Sequence, residues 1–328
     1  MRAVAKGAVV AALSIAVAAC GGPQSALHPA GVEAQQVARL FLAMASAGAV
    51  VWLAVMGLLV HGLRHRRTAW EPRRAGRLIL WGGAVLPAVS LAVLLAFALW
   101  LMPSIRPWAA AGQGGLRIEV EGHQYWWRVV YRPPDGGPAV VSANEVRLPV
   151  GERVELVLTS ADVIHSFWIP PLGGKMDMIP GRTNRLWLEA AEPGTFRGPC
   201  AEFCGTSHAL MAFPAVAMPP EAFAQWLAER ASPSPNAGGE GREAFVRHGC
   251  GACHRVAGTE AQGAVGPDLS HVGSRLGIGA GILPNDEQAL VRFISRPDEV
   301  KPGVEMPGFA MLPPDEIRLL ASYLRGLR

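Results

Sequence analysis

The residues of this chain most able to do chemistry lie in twelve positions, from Cys200 to Met211. They include two thiols, an imidazole and a thioether, which belong to Cys200, Cys204, His208 and Met211. The spacings between these four residues are four, four and three. Soft sulfur ligands together with imidazole suit copper, zinc or iron. Zinc usually closes a tetrahedron without methionine, whereas a thioether beside thiolate and histidine is typical of copper that transfers electrons. We therefore predict a copper site, and the alternative, a short-loop disulfide, requires a location outside the cytosol.

The number of histidines bears on how many copper ions this loop can hold. Two cysteines in one short loop can bridge two copper ions, and each ion then needs its own histidine. His208 supplies one imidazole. His165 is the candidate for the second, since it ends an apolar, strand-like run and is followed by more aromatic residues. A single histidine in such a place is equally compatible with a core or surface residue, so the assignment of His165 depends on the cysteine pair.

A second redox motif lies near the carboxyl end, where Cys250-Gly-Ala-Cys253-His254 has the spacing of c-type haem attachment. A zinc site or a thiol redox site is the alternative, but zinc would need a second pair of ligands and no cysteine follows Cys253. We therefore predict a covalent haem with His254 on the iron. The sixth ligand is expected to be a methionine, which raises the iron potential, and Met306 and Met311 are the candidates before the last predicted helix.

The first twenty residues have the features of an export signal. Arg2 and Lys6 precede an uncharged run that ends in Val-Ala-Ala-Cys20, and this run is too short to span a membrane comfortably. A cysteine directly after small residues resembles a lipoprotein cleavage site, so Cys20 is a candidate for lipidation. The alternative is a signal that is uncleaved or cleaved elsewhere.

Two longer apolar runs predict membrane helices. Half of the residues are hydrophobic and only 17% are charged, which is too apolar for an ordinary soluble protein. Leu40 to Val60 and Leu78 to Met102 carry no charge, and each is long enough to cross a bilayer core. The segment between them contains six arginines, which places it in the cytoplasm. The six are Arg64, Arg66, Arg67, Arg73, Arg74 and Arg77. Everything after Met102 is therefore expected on the outer face.

The net charge of +4 does not describe the exposed part of the chain. Residues 104–328 hold 21 basic and 24 acidic side chains, so the basic excess lies in the signal and the cytoplasmic segment. We therefore expect no nucleic acid partner.

The residue pattern after Leu116 predicts a β domain. Short β-branched and aromatic stretches alternate with Gly and Pro turns, which is typical of a sandwich or barrel. A helix is expected from Pro219 to Trp226, and the Pro/Gly/Ser-rich segment after Ala231 marks a boundary. The predicted stretches are Leu116–Tyr131, Asn144–Pro149, Arg153–Thr159, Thr183–Glu189 and Ala215–Met218. The predicted domains are 1–20 for export, 36–104 for two membrane helices, 105–231 for copper, 232–239 as linker and 240–328 for haem.

Three segments resemble subunit II of the bacterial haem-copper cytochrome c oxidases. They are Asp162-Val-Ile-His165-Ser-Phe, Gly174 to Asn184 in the form GKMDMIPGRTN, and Cys200 to Met211. Residues 240–328 are similar to class I cytochromes c, because Met306-Pro-Gly-Phe and Gly266-Pro-Asp-Leu match common motifs there.

The resemblance implies a fold and a set of ligands. The fold is a multidomain membrane protein with two transmembrane helices, a cupredoxin-like Greek-key β-barrel and an all-α class I cytochrome c domain. Met306 becomes the sixth iron ligand, and Met311 is expected to be packing. Glu202 would give its carbonyl to copper and its carboxylate to a magnesium or manganese ion shared with subunit I. The implied copper (CuA) ligands are His165, Cys200, the Glu202 carbonyl, Cys204, His208 and Met211.

The sequence departs from the family pattern at two places. The family usually has Gln-Trp-x-Trp where this chain reads Gln124-Tyr125-Trp126-Trp, so the residue at which electrons enter is a choice between Tyr125 and Trp126. The segment Leu78-Ile-Leu-Trp81 also lacks the carboxylate that often stands there, at the mouth of a proton channel in subunit I.

The function implied by the resemblance is electron input to a terminal oxidase. Electrons would pass from covalent haem c to two copper ions and on to subunit I, in the bacterial cytoplasmic membrane. Expected partners are oxidase subunits I and III, an upstream donor such as soluble cytochrome c, and membrane lipid. One alternative is the same role in a nitric-oxide-reducing haem-copper enzyme. A membrane-tethered copper carrier is the other, although a carrier needs neither haem nor two membrane spans.

Overall fold

A computed structural model of the chain describes residues 21–65, 71–105 and 115–328. The predicted export signal 1–20 with Cys20, and Arg66 and Arg67 of the predicted cytoplasmic segment, lie outside the described residues. The chain divides into two compact units, one of Val37–Gln113 and the other of Met1–Gln36 together with Gly114–Arg328.

The first unit is built of long apolar helices. They are α1 (Val32–Arg64), α2 (Pro72–Leu80) and α3 (Leu86–Ile105), and a π-helical turn, Trp81–Val85, joins α2 to α3. Pro87 has no backbone N–H to donate. Just before it, the N–H of Leu86 donates to the carbonyl of Trp81, five residues earlier. This longer spacing widens the helix locally. Val32–Arg64 and Pro72–Trp100 are long and apolar enough to cross a membrane and bury almost none of that surface within the chain. The described residues therefore contain the two predicted candidate spans.

Among its described residues, 115–231, the domain predicted to bind copper contains ten strands. A five-stranded sheet has the order β3-β2-β1-β5-β8, a three-stranded sheet has the order β4-β10-β9, and β6 pairs with β7. β1 runs parallel to β5, and β4 parallel to β10, whereas the other pairs are antiparallel. The strands are β1 (Arg117–His123), β2 (Trp126–Arg132), β3 (Val140–Ala143), β4 (Val146–Pro149), β5 (Arg153–Ser160), β6 (His165–Phe167), β7 (Met176–Met178), β8 (Asn184–Glu189), β9 (Gly194–Pro199) and β10 (Ala212–Met218).

One apolar core lies between these sheets and confirms the predicted cupredoxin-like architecture. The rings of Phe167 and Phe213 stack at 4.9 Å, and Trp127 meets Phe213 edge-on at 5.3 Å. All three side chains are buried, and offset or edge-to-face aromatic pairs add to the free energy of burying such large rings. Helix α4 (Pro220–Ala231) covers one end of this core through Phe223.

Some predicted strand limits differ from the structure. The stretch Leu116–Tyr131 is two strands rather than one, because the chain reverses at Gln124 and Tyr125 and β2 pairs back on β1. The stretch Asn144–Pro149 begins as a strand only at Val146, since Asn144 has a φ of 59° and its side chain accepts a hydrogen bond from the N–H of Trp127. Asparagine tolerates this left-handed backbone better than most residues.

Residues 21–36 pack on the copper domain. The N–H groups of Ala30 and Gly31 both donate to the carbonyl of Pro171. A Cβ on Gly31 would lie 2.3 Å from the carbonyl oxygen of Leu172, so only glycine allows this approach. The side chain of Glu33, in the first turn of α1, accepts a hydrogen bond from the N–H of Glu189.

The C-terminal domain is helical, as predicted. It contains α5 (Glu240–Arg247), α6 (Glu287–Ser295), α7 (Pro297–Val300) and α8 (Pro314–Gly326), and the short strands β11 (Gly277–Ile278) and β12 (Leu283–Pro284). Helices α5 and α8 cross where Phe245 meets Tyr323, with ring centroids 5.9 Å apart. Gly241 lies at this crossing, where an added Cβ would be 2.4 Å from the Cβ of Tyr323.

The segment that the sequence predicts as a linker is packed against the haem domain. Ser234 and Ala237 are buried. The hydroxyl of Tyr323 donates to the carbonyl of Ala237, and the amide of Asn236 donates to the carbonyl of Gly326. Residues 232–239 therefore pack against the C-terminal domain in this structure.

We predict that Gly241→Ala destabilises the C-terminal domain by about 1–3 kcal/mol, because the added methyl group forces α5 and α8 apart. Alanine gains roughly 0.5–1 kcal/mol over glycine within a helix, which does not offset the overlap. The measurement is denaturant unfolding followed by the absorbance of the haem expected at Cys250 to His254. Gly238→Ala is the control, since a Cβ there meets nothing within 4 Å; equal midpoints for the two variants would contradict the prediction.

Candidate functional site

The loop from Cys200 to Met211 connects β9 to β10. Its two ends are joined, because the N–H of Cys200 donates to the carbonyl of Met211 at 2.8 Å. Cys200 also forms an isolated bridge with Phe167, and this bridge brings β6 and therefore His165 beside the loop. The barrel thus places a histidine 35 residues upstream next to the cysteine pair.

The sulfur and nitrogen atoms of the predicted copper ligands converge. The two sulfur atoms of Cys200 and Cys204 are 3.9 Å apart, and the sulfur of Met211 is 3.8 Å from that of Cys204. Nδ1 of His165 lies 3.9 Å from the Cys200 sulfur, and Nδ1 of His208 lies 3.5 Å from the Cys204 sulfur. The two imidazoles therefore approach different cysteines.

This donor set fits a soft metal. Metal–thiolate bonds of about 2.3 Å would let two sulfurs 3.9 Å apart bind the same ion. Oxygen is offered by the carbonyl of Glu202, 3.2 Å from the Cys200 sulfur. Both cysteines and Met211 are at most 5% exposed and His165 is fully buried. A buried group of soft donors with one carbonyl suits copper better than a hard ion.

The cysteine pair is predisposed to lose a proton. The hydrogen bond between the two sulfur atoms, together with that of His165, outweighs burial and lowers the pKa of Cys200 to about 4. The same hydrogen bond, and then burial, raises the pKa of Cys204. One thiolate is therefore ready at neutral pH, and since thiolates are the form that binds metal, a bound cation would be expected to displace the second proton.

Asp162 orients His165. Its carboxylate accepts from Nε2 of the imidazole at 2.7 Å and from the N–H groups of Gln124 and Val163. With Nε2 protonated, the lone pair on Nδ1 points to Cys200, which is how carboxylates usually fix metal-binding histidines. Burial lowers the pKa of His165, but its hydrogen bonds to Cys200 and Asp162 leave that pKa raised.

Gly122 makes room for the His165 ring. A Cβ at this position of β1 would lie 2.8 Å from Cδ2 of the imidazole and 3.0 Å from Cγ. The sequence alone does not indicate this role of Gly122, because the glycine and His165 are separated by more than 40 residues. A glycine inside an otherwise β-branched and aromatic strand is the signal that could have indicated a close approach.

Glu202 also has a carboxylate outside the copper ligands. It accepts a hydrogen bond from Lys175 Nζ at 2.9 Å, and the same ammonium donates to Asp177 at 3.0 Å. These three side chains are half exposed. The carboxylate of Glu202, predicted to bind magnesium or manganese, is therefore paired with Lys175 in this structure.

The haem motif lies at the wall of an apolar cavity. Cys250, Cys253 and His254 line one side, and Met306 and Phe309 are among the residues that line the rest. Nδ1 of His254 is 2.8 Å from the carbonyl of Pro267, so Nδ1–H donates and Nε2 is left free for a metal. Burial lowers the pKa of His254, which keeps the imidazole neutral, the form that binds iron.

The cavity separates the two methionine candidates. Met306 lines it, whereas Met311 does not and is 77% exposed. The expectation that Met311 packs in the domain is therefore wrong: its side chain points to solvent from the turn before α8. Gly266 stands against the His254 ring, where a Cβ would be 2.6 Å from Cε1, so the cavity is shaped closely around this imidazole.

The residues at which electrons are predicted to enter lie between the two sites. Tyr125 and Trp126 both line the haem cavity, together with Gln124. On the other side, the Gln124 amide donates to the carbonyl of Cys204 at 2.6 Å. Gly205, with a φ of +125°, leaves room for Tyr125, because a Cβ there would be 2.5 Å from the phenol oxygen. Tyr125 is buried, and Trp126 is stacked on His123.

Two family models match the chain. Residues 139–218 match the periplasmic domain of cytochrome c oxidase subunit II, and residues 239–328 match cytochrome c. A cytochrome c oxidase subunit 2 from Alkalihalophilus pseudofirmus is 40% identical over 221 residues, and one from Bacillus subtilis is 32% identical over 230 residues. Each alignment covers 66% of this chain and 63% of the relative, so the chain spans about 63% of the length of these relatives.

A solved structure also matches. It is the periplasmic domain of cytochrome oxidase subunit II (CoxB) of Bradyrhizobium japonicum, which is 34% identical. The match covers 36% of this chain and 95% of that one, with a TM-score of 0.34.

We predict that Gly122→Ala weakens copper binding about tenfold or more, a loss typical of disturbed support around a metal ligand. The reason is that the added methyl group displaces the His165 ring. Competition between the purified protein and a copper chelator measures the affinity. Gly174→Ala is the matched control, since a Cβ there meets nothing within 4 Å. An unchanged copper affinity in the Gly122 variant would show that His165 is not held as described.

Proposed function

Since the chain contains the periplasmic domain of cytochrome c oxidase subunit II followed by a cytochrome c domain, we propose that it is the electron-input subunit of a terminal oxidase. It passes electrons from covalent haem c to a dinuclear copper centre and on to the haem-copper catalytic subunit, which reduces oxygen to water. One observation carries the proposal: residues 124–126 line the haem cavity while Gln124 is hydrogen-bonded to the copper loop.

Two copper ions are assigned to the loop between β9 and β10. Cys200 and Cys204 would hold both ions, and each ion would have its own imidazole, since His165 and His208 approach different sulfurs. Met211 and the carbonyl of Glu202 would complete the ligands. The Glu202 carboxylate is the proposed ligand for magnesium or manganese at the contact with the catalytic subunit. Binding of that cation would replace the ion pair that Glu202 forms with Lys175.

The haem is assigned to the cavity of the C-terminal domain. Cys250 and Cys253 would form its thioether bonds, and His254 and Met306 would bind its iron. When bound, haem iron and copper supply one-electron chemistry. The chain's own residues orient the ligands of both sites: Asp162 and the Pro267 carbonyl fix the two histidine rings, and Cys200 and Cys204 are buried away from solvent.

Location and partners follow from the same assignment. The two apolar helices anchor the chain in the bacterial cytoplasmic membrane, with both redox domains on the outer face. The catalytic subunit I, subunit III and an upstream cytochrome c or other donor are the proposed partners. The proposed domain limits are 36–104 for the membrane helices, 105–231 for copper and 240–328 for haem, and the packed segment 232–239 lies between the last two.

We predict that Cys200→Ser or Cys204→Ser abolishes the paramagnetic resonance signal of a mixed-valence copper pair, because each thiolate bridges both ions. Oxygen uptake by the purified assembly should stop, while the haem remains reducible. Cys250→Ala is the complementary control, since it removes a haem attachment and leaves the copper ligands intact. Survival of the signal in either serine variant would overturn the dinuclear assignment. Consumption of nitric oxide instead of oxygen by the wild-type assembly would overturn the oxidase assignment.

We also predict that haem-to-copper transfer is first-order and weakly dependent on salt. Residues 104–231 carry 11 basic and 13 acidic side chains, and residues 240–328 carry 10 and 11. Neither offers the strong opposite charge that steers a separate carrier, and the covalent connection replaces diffusional encounter. Rapid photoreduction of the haem at several protein and salt concentrations measures the rate. A rate that rises with protein concentration, or falls steeply with salt, would show that transfer runs between molecules.

A further inference from the structure

Lys301 is a buried lysine between the haem cavity and the copper domain. It follows α7 and is only 2% exposed. Its ammonium donates to the carbonyl of Tyr125 at 2.6 Å and to the carbonyl of Gly279 at 2.9 Å. The first acceptor belongs to the copper domain and the second to the haem domain. The lysine therefore joins two domains by hydrogen bonds to backbone atoms.

The two residues after Lys301 strengthen the same contact. The carbonyl of Pro302 accepts a hydrogen bond from the hydroxyl of Ser207 at 2.6 Å, and Ser207 belongs to the copper loop. Gly303, with a φ of +79°, lies against the ring of Tyr125, where a Cβ would be 3.6 Å from Cε2. Residues 301–303 thus contact the copper domain at Tyr125 and at the copper loop.

Residues 301–303 lie close to both predicted redox sites. Met306 follows Lys301 by five positions and lines the haem cavity. Tyr125 lines the same cavity, and the neighbouring Gln124 side chain donates to the carbonyl of Cys204. A displacement of Lys301 would therefore change the distance between the haem pocket and the copper thiolates.

If Lys301 acted only within the haem domain, at the turn of Gly279, it would not need the contact with Tyr125. A lysine that only closed the turn at Gly279 could reach water with its remaining N–H groups, and lysine is almost never fully buried without partners. Burial lowers the pKa of Lys301 to about 7. Both protonation states keep at least two N–H groups, so the pair of hydrogen bonds does not depend on the charge.

We propose that Lys301 is a positioning residue that fixes the haem domain on the copper domain through the Tyr125 carbonyl. The role deepens the proposed function, because it sets the arrangement in which electrons pass between the two sites. If Lys301 is lost, the Tyr125 and Gly279 carbonyls become buried acceptors without a donor, which favours separation of the domains. The electron path then lengthens although both metal sites keep their ligands.

The test compares Lys301→Met with the wild-type full-length protein. Methionine fills a similar volume without donors. Hydrogen exchange of the peptide around Leu276 reports docking, because the Leu276 N–H crosses the same interface to the Glu145 carboxylate at 2.8 Å. We expect this exchange to become about tenfold faster or more, as one lost buried hydrogen-bonding group permits. Haem-to-copper transfer after photoreduction should slow, with the haem absorbance and the copper resonance signal unchanged.

Two further variants make the result decisive. Arg296→Met is the matched control, since Arg296 is exposed and pairs only with Glu299 among the described contacts; its exchange and transfer rates should equal those of the wild type. Lys301→Gln keeps an amide donor and should recover part of the protection at Leu276, which also guards against a methionine variant that fails to fold.

The outcomes separate this proposal from the function on which it rests. Unchanged exchange in both Lys301 variants would overturn the positioning role, and so would loss of the haem spectrum, which would indicate a role inside the haem site. Faster exchange in a protein that never transfers electrons to oxygen would leave the interface role standing and refute the oxidase function instead.

Discussion

The hydrogen bond from the N–H of Cys200 to the carbonyl of Met211 is the constraint on which the copper site depends. It closes the loop at the ends of β9 and β10, so the two sheets that hold these strands determine where the sulfur atoms lie. Cys200, Cys204, Met211 and His165 are buried in this arrangement without a metal. Ordering a loop of this length costs conformational entropy. In this protein the loop is ordered when the barrel folds, so metal binding does not have to order it again. A metal then meets donors that need little rearrangement.

The break between β1 and β2 has the corresponding role for the haem site. A continuous strand would carry Gln124 and Tyr125 along the sheet, whereas the reversal projects them beyond it, between the copper loop and the haem cavity. Gly205 and Gly303 lack side chains where Tyr125 approaches from either side. The contact between the domains is therefore made by backbone carbonyls and a buried ring rather than by surface charges. Such a contact is specific in geometry and little affected by salt.

Much of the candidate site could be predicted because its chemistry is local in sequence. Four ligands fall within twelve residues and the haem motif within five, so residue type and spacing are sufficient. The long apolar runs predicted the membrane helices for the same reason. What supports these groups is not local: Gly122 and Lys301 act on residues 43 and 176 positions away. No periodicity of a single chain indicates which strands will lie side by side, and this is why these positions were missed.

The segment 232–239 has the composition of a linker but packs against the C-terminal domain. Pro, Gly and Ser are typical of flexible linkers, yet here Ala237 contributes to the core of the haem domain and Ser234 is buried. Small residues that leave a chain free in one context let it lie close to a helix in another. The C-terminal domain contacts the copper domain through residues 301–303 and through Leu276, whose N–H donates to the Glu145 carboxylate. These contacts lie on the side of the haem cavity that Tyr125 lines, next to the copper loop. The packing of 232–239 adds to the C-terminal domain itself, because its hydrogen bonds go to Tyr323 and Gly326.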